Sequence, residues 1–127
     1  MALVTRPPTI GDLLPRADEA YGIEAKITAY CLNLNHEVGG PKAQGFLRIL
    51  GISLEDADHL AAELRDGLRV ARISDVRDST PFGILCEVRV PVRGLRERRD
   101  RIVAVTTSWE LRDADDRPRL VTAYIDG

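Results

Sequence analysis

Hydrophobic positions repeat at helical spacing through the first half of the chain and at alternate positions through the second. Ile23, Ile27, Tyr30, Cys31 and Leu34 recur at intervals of four, three, one and three, which predicts one apolar stripe on a helix. Asn33, Asn35 and the pair Gly39-Gly40 favour turns and left-handed backbone, and so end it. Pro41 suits the first position of a second helix, where its missing N–H is not needed. That helix points Ala43, Phe46, Leu47 and Leu50 inward and stops at Gly51. Ser53 with Asp56 three residues on is a capping-box-like start for a third helix. Its buried stripe is Ala57, Leu60, Ala61 and Leu64, and Gly67 ends it.

Beyond Gly67 the period becomes alternating. Leu68 to Val76 predicts a broken strand. Gly83 to Val92 predicts a stronger one, with Ile84, Cys86, Val88, Val90 and Val92 on one face. Pro91 in that run indicates an edge position or the end of regular pairing. Ile102 to Leu111 is the clearest strand, with Val103, Val105, Thr107, Trp109 and Leu111 together and Thr106, Ser108 and Glu110 opposite. Asp113 to Pro118 reads as a turn. The last strand, Arg119 to Ile125, sets Val121, Ala123 and Ile125 against Leu120, Thr122 and Tyr124.

About three N-terminal helices followed by three or four strands on tight turns predict an α+β fold. Short connections make the sheet antiparallel, and the helices pack on one face of it. Residues 1–9, with Pro7-Pro8 and no period, read as a flexible arm, and 10–127 as a single domain whose lead-in is Ile10 to Tyr21. The other sheet face is then the expected place for a site.

Composition narrows the class. An apolar fraction of 44% and a charged fraction of 30% fit a soluble globular domain, and no apolar run is long enough to span a bilayer. The start MALVTRPPTIGD lacks a charged leader followed by an apolar segment, so the expected compartment is the cytoplasm. Cys31 and Cys86 fall on apolar faces and read as buried thiols, and two cysteines with two histidines make no zinc pattern. Net charge is −2, unevenly spread: net −4 over residues 1–67 and +2 over 68–127. The positive excess is mostly the run from Arg93 to Arg101, read as a solvated hairpin tip with some capacity to grip phosphate. A general nucleic-acid coating protein is far more basic, so any nucleic-acid role is local.

Candidate chemistry gathers in the first helical hairpin. Of the eighteen positive side chains only Lys26 and Lys42 are lysines, and they bracket His36, one of two histidines. His36 in a turn reads either as a general acid or base or as a residue that hydrogen-bonds backbone and shapes the loop. His59 reads as a surface residue. Lys42 near a helix N-terminus, with the amides of that turn and with Gly39 and Gly40 letting a phosphate approach, makes an anion site. The GxxxxGK[ST] spacing is absent, as are GxSxG, HExxH and paired-carboxylate patterns. No metal or other cofactor is implied.

The combination Lys26, Tyr30, His36-x-x-Gly39, Lys42-Ala43, Phe46, Leu50-Gly51, then Phe82-Gly83, Thr107-x-Trp109 and Pro118 to Tyr124 resembles a small bacterial domain family of unknown function over residues 14–125. That family in turn resembles the barnase, EndoU, colicin and RelE-like toxin ribonucleases. The resemblance implies helices followed by a four-stranded antiparallel sheet and metal-independent transesterification of RNA. It implies His36 as acid or base, Lys26 and Lys42 for phosphate charge, and Thr107 and Thr122 for hydrogen bonding. Gly39, Gly40, Arg119 and Tyr124 are then substrate-binding. Implied partners are RNA and a small cognate antitoxin or immunity protein, with no membrane, and delivery into a target cell is the alternative setting to the cytoplasm. The competing class is a non-catalytic immunity or antitoxin-like protein or a small interaction module, which the slight net acidity favours.

Overall fold

In the computed structural model, which describes residues 7–37, 39–80, 83–112 and 117–126, the first apolar stripe builds a helix whose period changes midway. This helix, α1, is regular over Ile23–Lys26 and continues as a π-helical turn over Ile27–Cys31. The wider turn closes with the Leu32 N–H donating to the Ile27 carbonyl at 2.9 Å. A π turn takes up about one extra residue. Leu32 therefore turns into the core, while Leu34, predicted to be inside, is 48% exposed.

The second helix repeats the device. It is regular over Gly40–Gly45 and π-helical over Phe46–Leu50, and together these form α2. Ala43, Phe46 and Leu50 are buried as predicted, whereas Leu47 rotates out to 45% exposure. Gly51 ends the helix at φ 67°, a conformation without penalty only for glycine. Ser53 then opens a short 3₁₀ turn into α3, Ala57–Gly67, with the Asp56 carboxylate accepting from both the backbone N–H and the hydroxyl of Ser53. Leu60, Ala61 and Leu64 are buried as their spacing requires.

The strands are β1 (Ile73–Thr80), β2 (Gly83–Arg93), β3 (Ile102–Arg112) and β4 (Arg119–Ile125), antiparallel in the order β1-β2-β3-β4. The fold is thus α+β, with the helices N-terminal to the sheet. The first strand begins later than predicted. Leu68 belongs to the end of α3, its N–H donating to the Leu64 carbonyl at 3.0 Å, and pairing starts only at Ile73. Pro91 lies in an inner strand opposite Ala104, but past Val88, the last residue of β2 paired to β1. Its missing N–H falls where β1 has ended. The core between helices and sheet holds Trp109, Phe46, Ile23 and Ile27, all fully buried.

Two features depart from the alternating pattern. A bulge at Val121 puts two residues of β4 against one step of β3, so Ser108 faces Thr122 while Trp109 faces Leu120. Leu120, predicted to share the face of Thr122 and Tyr124, instead enters the core, and Arg119 moves onto the polar face opposite Glu110. A bulge re-aims side chains in this way because one residue of slip inverts every facing that follows.

The second departure is the arginine-rich tip between β2 and β3, which is more than a solvated loop. Its arginines cap the exposed carbonyls at the end of α2. Arg98 donates to the Arg48 carbonyl at 3.2 Å, Arg101 to that of Ile49 at 3.1 Å and Arg96 to that of Gly51 at 3.0 Å. The Leu95 N–H adds a bond to the Leu50 carbonyl at 2.8 Å. Helix C-terminal carbonyls lack intrahelical partners and carry partial negative charge, which guanidinium groups complement.

Residues 1–6 of the predicted arm, Val38, Phe82 and residues 113–116 of the predicted turn lie outside the described residues. Among the described residues no helix is long and apolar enough to cross a membrane.

Arg96 also makes a bidentate pair with Asp56, both contacts at 2.9 Å, and the hydrogen bonds from Arg96 hold the Asp56 carboxyl down at about 2. A depressed carboxylate contributes stability above its unfolded pKa and loses it as pH falls through the folded value. Arg96→Ala is therefore expected to lower stability modestly at neutral pH, as befits a pair whose arginine is exposed. The gap between variant and wild type should close as pH falls from about 4 towards 2 in denaturant titrations.

Candidate anion-binding site

Lys42 stands in the first turn of α2, where an ammonium opposes the positive end of the helix dipole. Groups brought from two other elements accommodate it. Its Nζ donates to Tyr30 Oη at 3.1 Å and to Thr122 Oγ1 at 3.3 Å. It also lies 5.1 Å from the ring centroids of both Tyr30 and Tyr124. Lys26, one helical turn before Tyr30, places its Nζ 5.6 Å from the centroid of the same Tyr30 ring. Aromatic faces attract cations at such distances. Rings and hydroxyls leave the charge in place, unlike a carboxylate. Among the described residues neither lysine has an ion-pair partner.

His36 packs edge-on against Tyr30, with centroids 4.8 Å apart and planes at 75°. Its Nδ1 accepts the Gly39 N–H at 3.0 Å, satisfying one of the orphan donors at the start of α2. A nitrogen that accepts a backbone N–H holds no proton, so the neutral ring carries its proton on Nε2. In this arrangement His36 is a donor at Nε2 and a shaper of the turn. Acting as a base would require it to give up the Gly39 bond.

The two glycines are used for close passage of the chain. A Cβ on Gly39 would lie 2.4 Å from the Tyr30 carbonyl oxygen, and one on Gly40 would lie 2.8 Å from that of Leu34. They let the turn cross the end of α1 and so bring Lys42 onto Tyr30. A cleft lies to one side of them. Gly22, Ala25, Lys26, Tyr30, His36 and Arg119 line this cleft, whose volume is about 400 Å³.

Arg119 reaches the cleft while bonded to Glu110. Its Nη2 lies 3.0 Å from Glu110 Oε1, and Arg112 Nε lies 2.9 Å from the same oxygen. Burial alone raises the Glu110 carboxyl, but the hydrogen bonds from Arg119 and Arg112 outweigh it and hold the group below its ordinary value. Thr107 is not brought to the site. It is fully buried, its hydroxyl donating to the Val88 carbonyl at 2.6 Å and accepting the Trp109 indole N–H at 2.7 Å. His59 is likewise structural, with Nε2 2.8 Å from the Arg93 carbonyl. Cys31 and Cys86 are free and buried, and burial pushes both thiols up to about 11, so neither is a nucleophile at neutral pH.

The open sheet face expected to hold the site is instead internally paired. Thr106, Ser108 and Glu110 are all buried there, beneath flanking pairs such as Arg77–Glu87 at 3.3 Å and Arg89–Asp126 at 3.8 Å. The unneutralised charge gathers at the outer edge of β4, where α1 and α2 meet Thr122 and Tyr124. Tyr30, which the apolar stripe places inside, is half-buried with its ring at the centre of the cluster. Its hydroxyl and its one-turn distance from Lys26 were the available signal. Among the described residues no three His, Cys, Asp or Glu side chains converge so as to hold a metal ion.

Residues 13–127 match the model of a protein family, DUF6883, described as a domain of unknown function. No curated protein matches the chain, and no solved structure does.

The two glycine environments give opposite expectations. Gly39→Ala should cost about 2 kcal/mol through overpacking against the Tyr30 carbonyl. Gly45→Ala, whose Cβ meets nothing within 4 Å, should stabilise the protein by up to about 1 kcal/mol through helix propensity. Urea unfolding monitored by circular dichroism measures both.

Proposed function

The chain belongs to that domain family, whose description assigns no activity, and we propose that its β4-edge cluster binds the phosphodiester of single-stranded RNA without a metal. One observation carries the reading: two half-buried ammonium groups, Lys26 and Lys42, share the Tyr30 ring, and among the described residues no carboxylate neutralises either. An anion entering the cleft meets Lys26 and Tyr30, and the Tyr30 hydroxyl, which accepts from Lys42, has its own hydrogen to offer. His36 Nε2–H and the Arg119 guanidinium border the same space. A phosphodiester has two non-bridging oxygens that need several donors, and charge-assisted hydrogen bonds to them are the strong kind. Aromatic faces beside these cations suit nucleobases, which a simple inorganic anion lacks.

Strand cleavage of the toxin-ribonuclease type needs a base for the 2′-OH as well as this charge. His36 is committed to Gly39 through Nδ1, and Glu110 to two arginines. The cluster therefore supports recognition more directly than turnover. A second reading, an interaction module, is favoured by one separate feature, a groove of about 390 Å³ in the helical layer that includes the exposed Leu34, Leu47 and Leu54.

Fluorescence anisotropy with a single-stranded oligoribonucleotide in EDTA tests the proposal. Lys42→Ala and Lys26→Ala should each weaken binding about tenfold, corresponding to about 1.4 kcal/mol per charge-assisted contact. The logarithm of affinity should fall with that of salt at a slope of about −1.4 or steeper, as for two or more neutralised phosphates. Wild-type affinity in both lysine variants would reject the reading. The same samples run on a gel report cleavage.

A further inference from the structure

Lys42 of the lysine cluster stands at one end of α2, and the arginine-rich tip packs on the other. The three tip arginines bond backbone carbonyls there, and among the described residues Arg98 and Arg101 do so without meeting a carboxylate. Arg48, on α2 itself, is exposed, and no side-chain bond to another described residue holds it. Among the described residues Arg93 and Arg99 are also exposed and without ion pairs, and the carboxylates of this region are Glu97 and Asp100 in the same turn, Glu55 beside Arg48 and Arg98, and Asp56, which Arg96 engages. The local excess is positive in a protein of net charge −2.

Between the two ends runs a shallow depression of about 320 Å³ along the outer face of α2, lined by Pro41, Gln44, Gly45, Leu47 and Arg48. Gly45 sits at its middle in helical backbone, where glycine costs about 1 kcal/mol relative to alanine. Nothing in the fold requires it, since a Cβ there would meet no atom within 4 Å. Glycine at an open helix surface lets another chain approach the backbone closely.

We propose that a single RNA strand continues from the Lys26–Lys42 cluster along this face of α2, over Gly45, to a second phosphate-binding patch formed by Arg48, Arg98 and Arg101. The inference rests on the phosphodiester reading of the cleft and extends it from one phosphate to several. Lys42 and Arg48 stand six residues apart along α2, so a strand that meets both presents more than one phosphate. Guanidinium groups bound to carbonyls through one N–H keep further donors for phosphate oxygens. The tip thus caps α2 and presents cations from the same side chains.

The test compares two probes, a dinucleoside monophosphate confined to the cleft and a long single-stranded oligoribonucleotide. Arg48→Glu is the first variant, because no side-chain bond to another described residue holds Arg48. Gly45→Gln is the second, placing a side chain in the depression. Both should keep the wild-type melting temperature to within a few degrees. Each should weaken the long strand five- to tenfold and leave the dinucleoside monophosphate unchanged, and Arg48→Glu should flatten the salt dependence of the long strand alone. Unchanged long-strand affinity in both variants, with Lys42→Ala still weakening both probes, would overturn the track and leave the cleft standing. Undiminished binding of both probes by Lys42→Ala would overturn the cleft and the track together.

Discussion

Helix α2 is held at both ends by groups that belong to other parts of the chain, and the site depends on that anchoring. Eleven residues that include Gly40 and Gly45 are too few, and too poor in propensity, to stay helical in water unaided. At the N-terminus His36 takes the Gly39 N–H, and the Gly40 N–H donates to the His36 carbonyl at 2.8 Å. At the C-terminus three arginines and the Leu95 N–H take the last carbonyls. The buried side chains Ala43, Phe46 and Leu50 then fix its rotation. With position and rotation set, Lys42 has one place to go, between Tyr30, Thr122 and Tyr124.

That placement explains how a slightly acidic protein presents a cationic site. Among the described residues seven arginines pair with carboxylates, and the open sheet face carries four of them, Arg77, Arg89, Arg112 and Arg119. Surface pairs of that kind contribute little stability, but they cancel the field of the charges they join. Lysines 26 and 42 meet an aromatic ring in place of a carboxylate, so their field is not cancelled. The same ring bears on His36, whose Nδ1 is engaged by Gly39. The histidine thus contributes to the shape of the turn first and to the chemistry of the cleft only through Nε2–H.

The sequence patterns locate the elements well and the facings less well. All three helices lie where the apolar stripes place them, and β2 and β3 match their alternation almost to the residue. The errors share a cause, which is a local change of period. Each π turn adds a residue to a helical stripe, sending Leu34 and Leu47 outward and Leu32 inward. The bulge at Val121 does the same to a strand, moving Leu120 into the core and Arg119 to the polar face. Such changes arise where closure of the whole packing outweighs local regularity, and no residue type marks them.

The sequence by itself determined the α+β class, the order of helices and strands, the turn at Gly39-Gly40 and the concentration of both lysines around His36. These follow from periodicity, from backbone preference and from counting. Only the tertiary structure decided that Tyr30 is the hub, that Thr107 serves Trp109 in the core, and that the arginine tip caps α2. It also set the lysine cluster at the edge of β4 and not on the open sheet face. Each of those outcomes joins residues far apart in the chain, such as Lys42 with Thr122 or Arg101 with Ile49. Such pairings are set by how the layers close on one another, which the spacing of residues along a single segment does not carry.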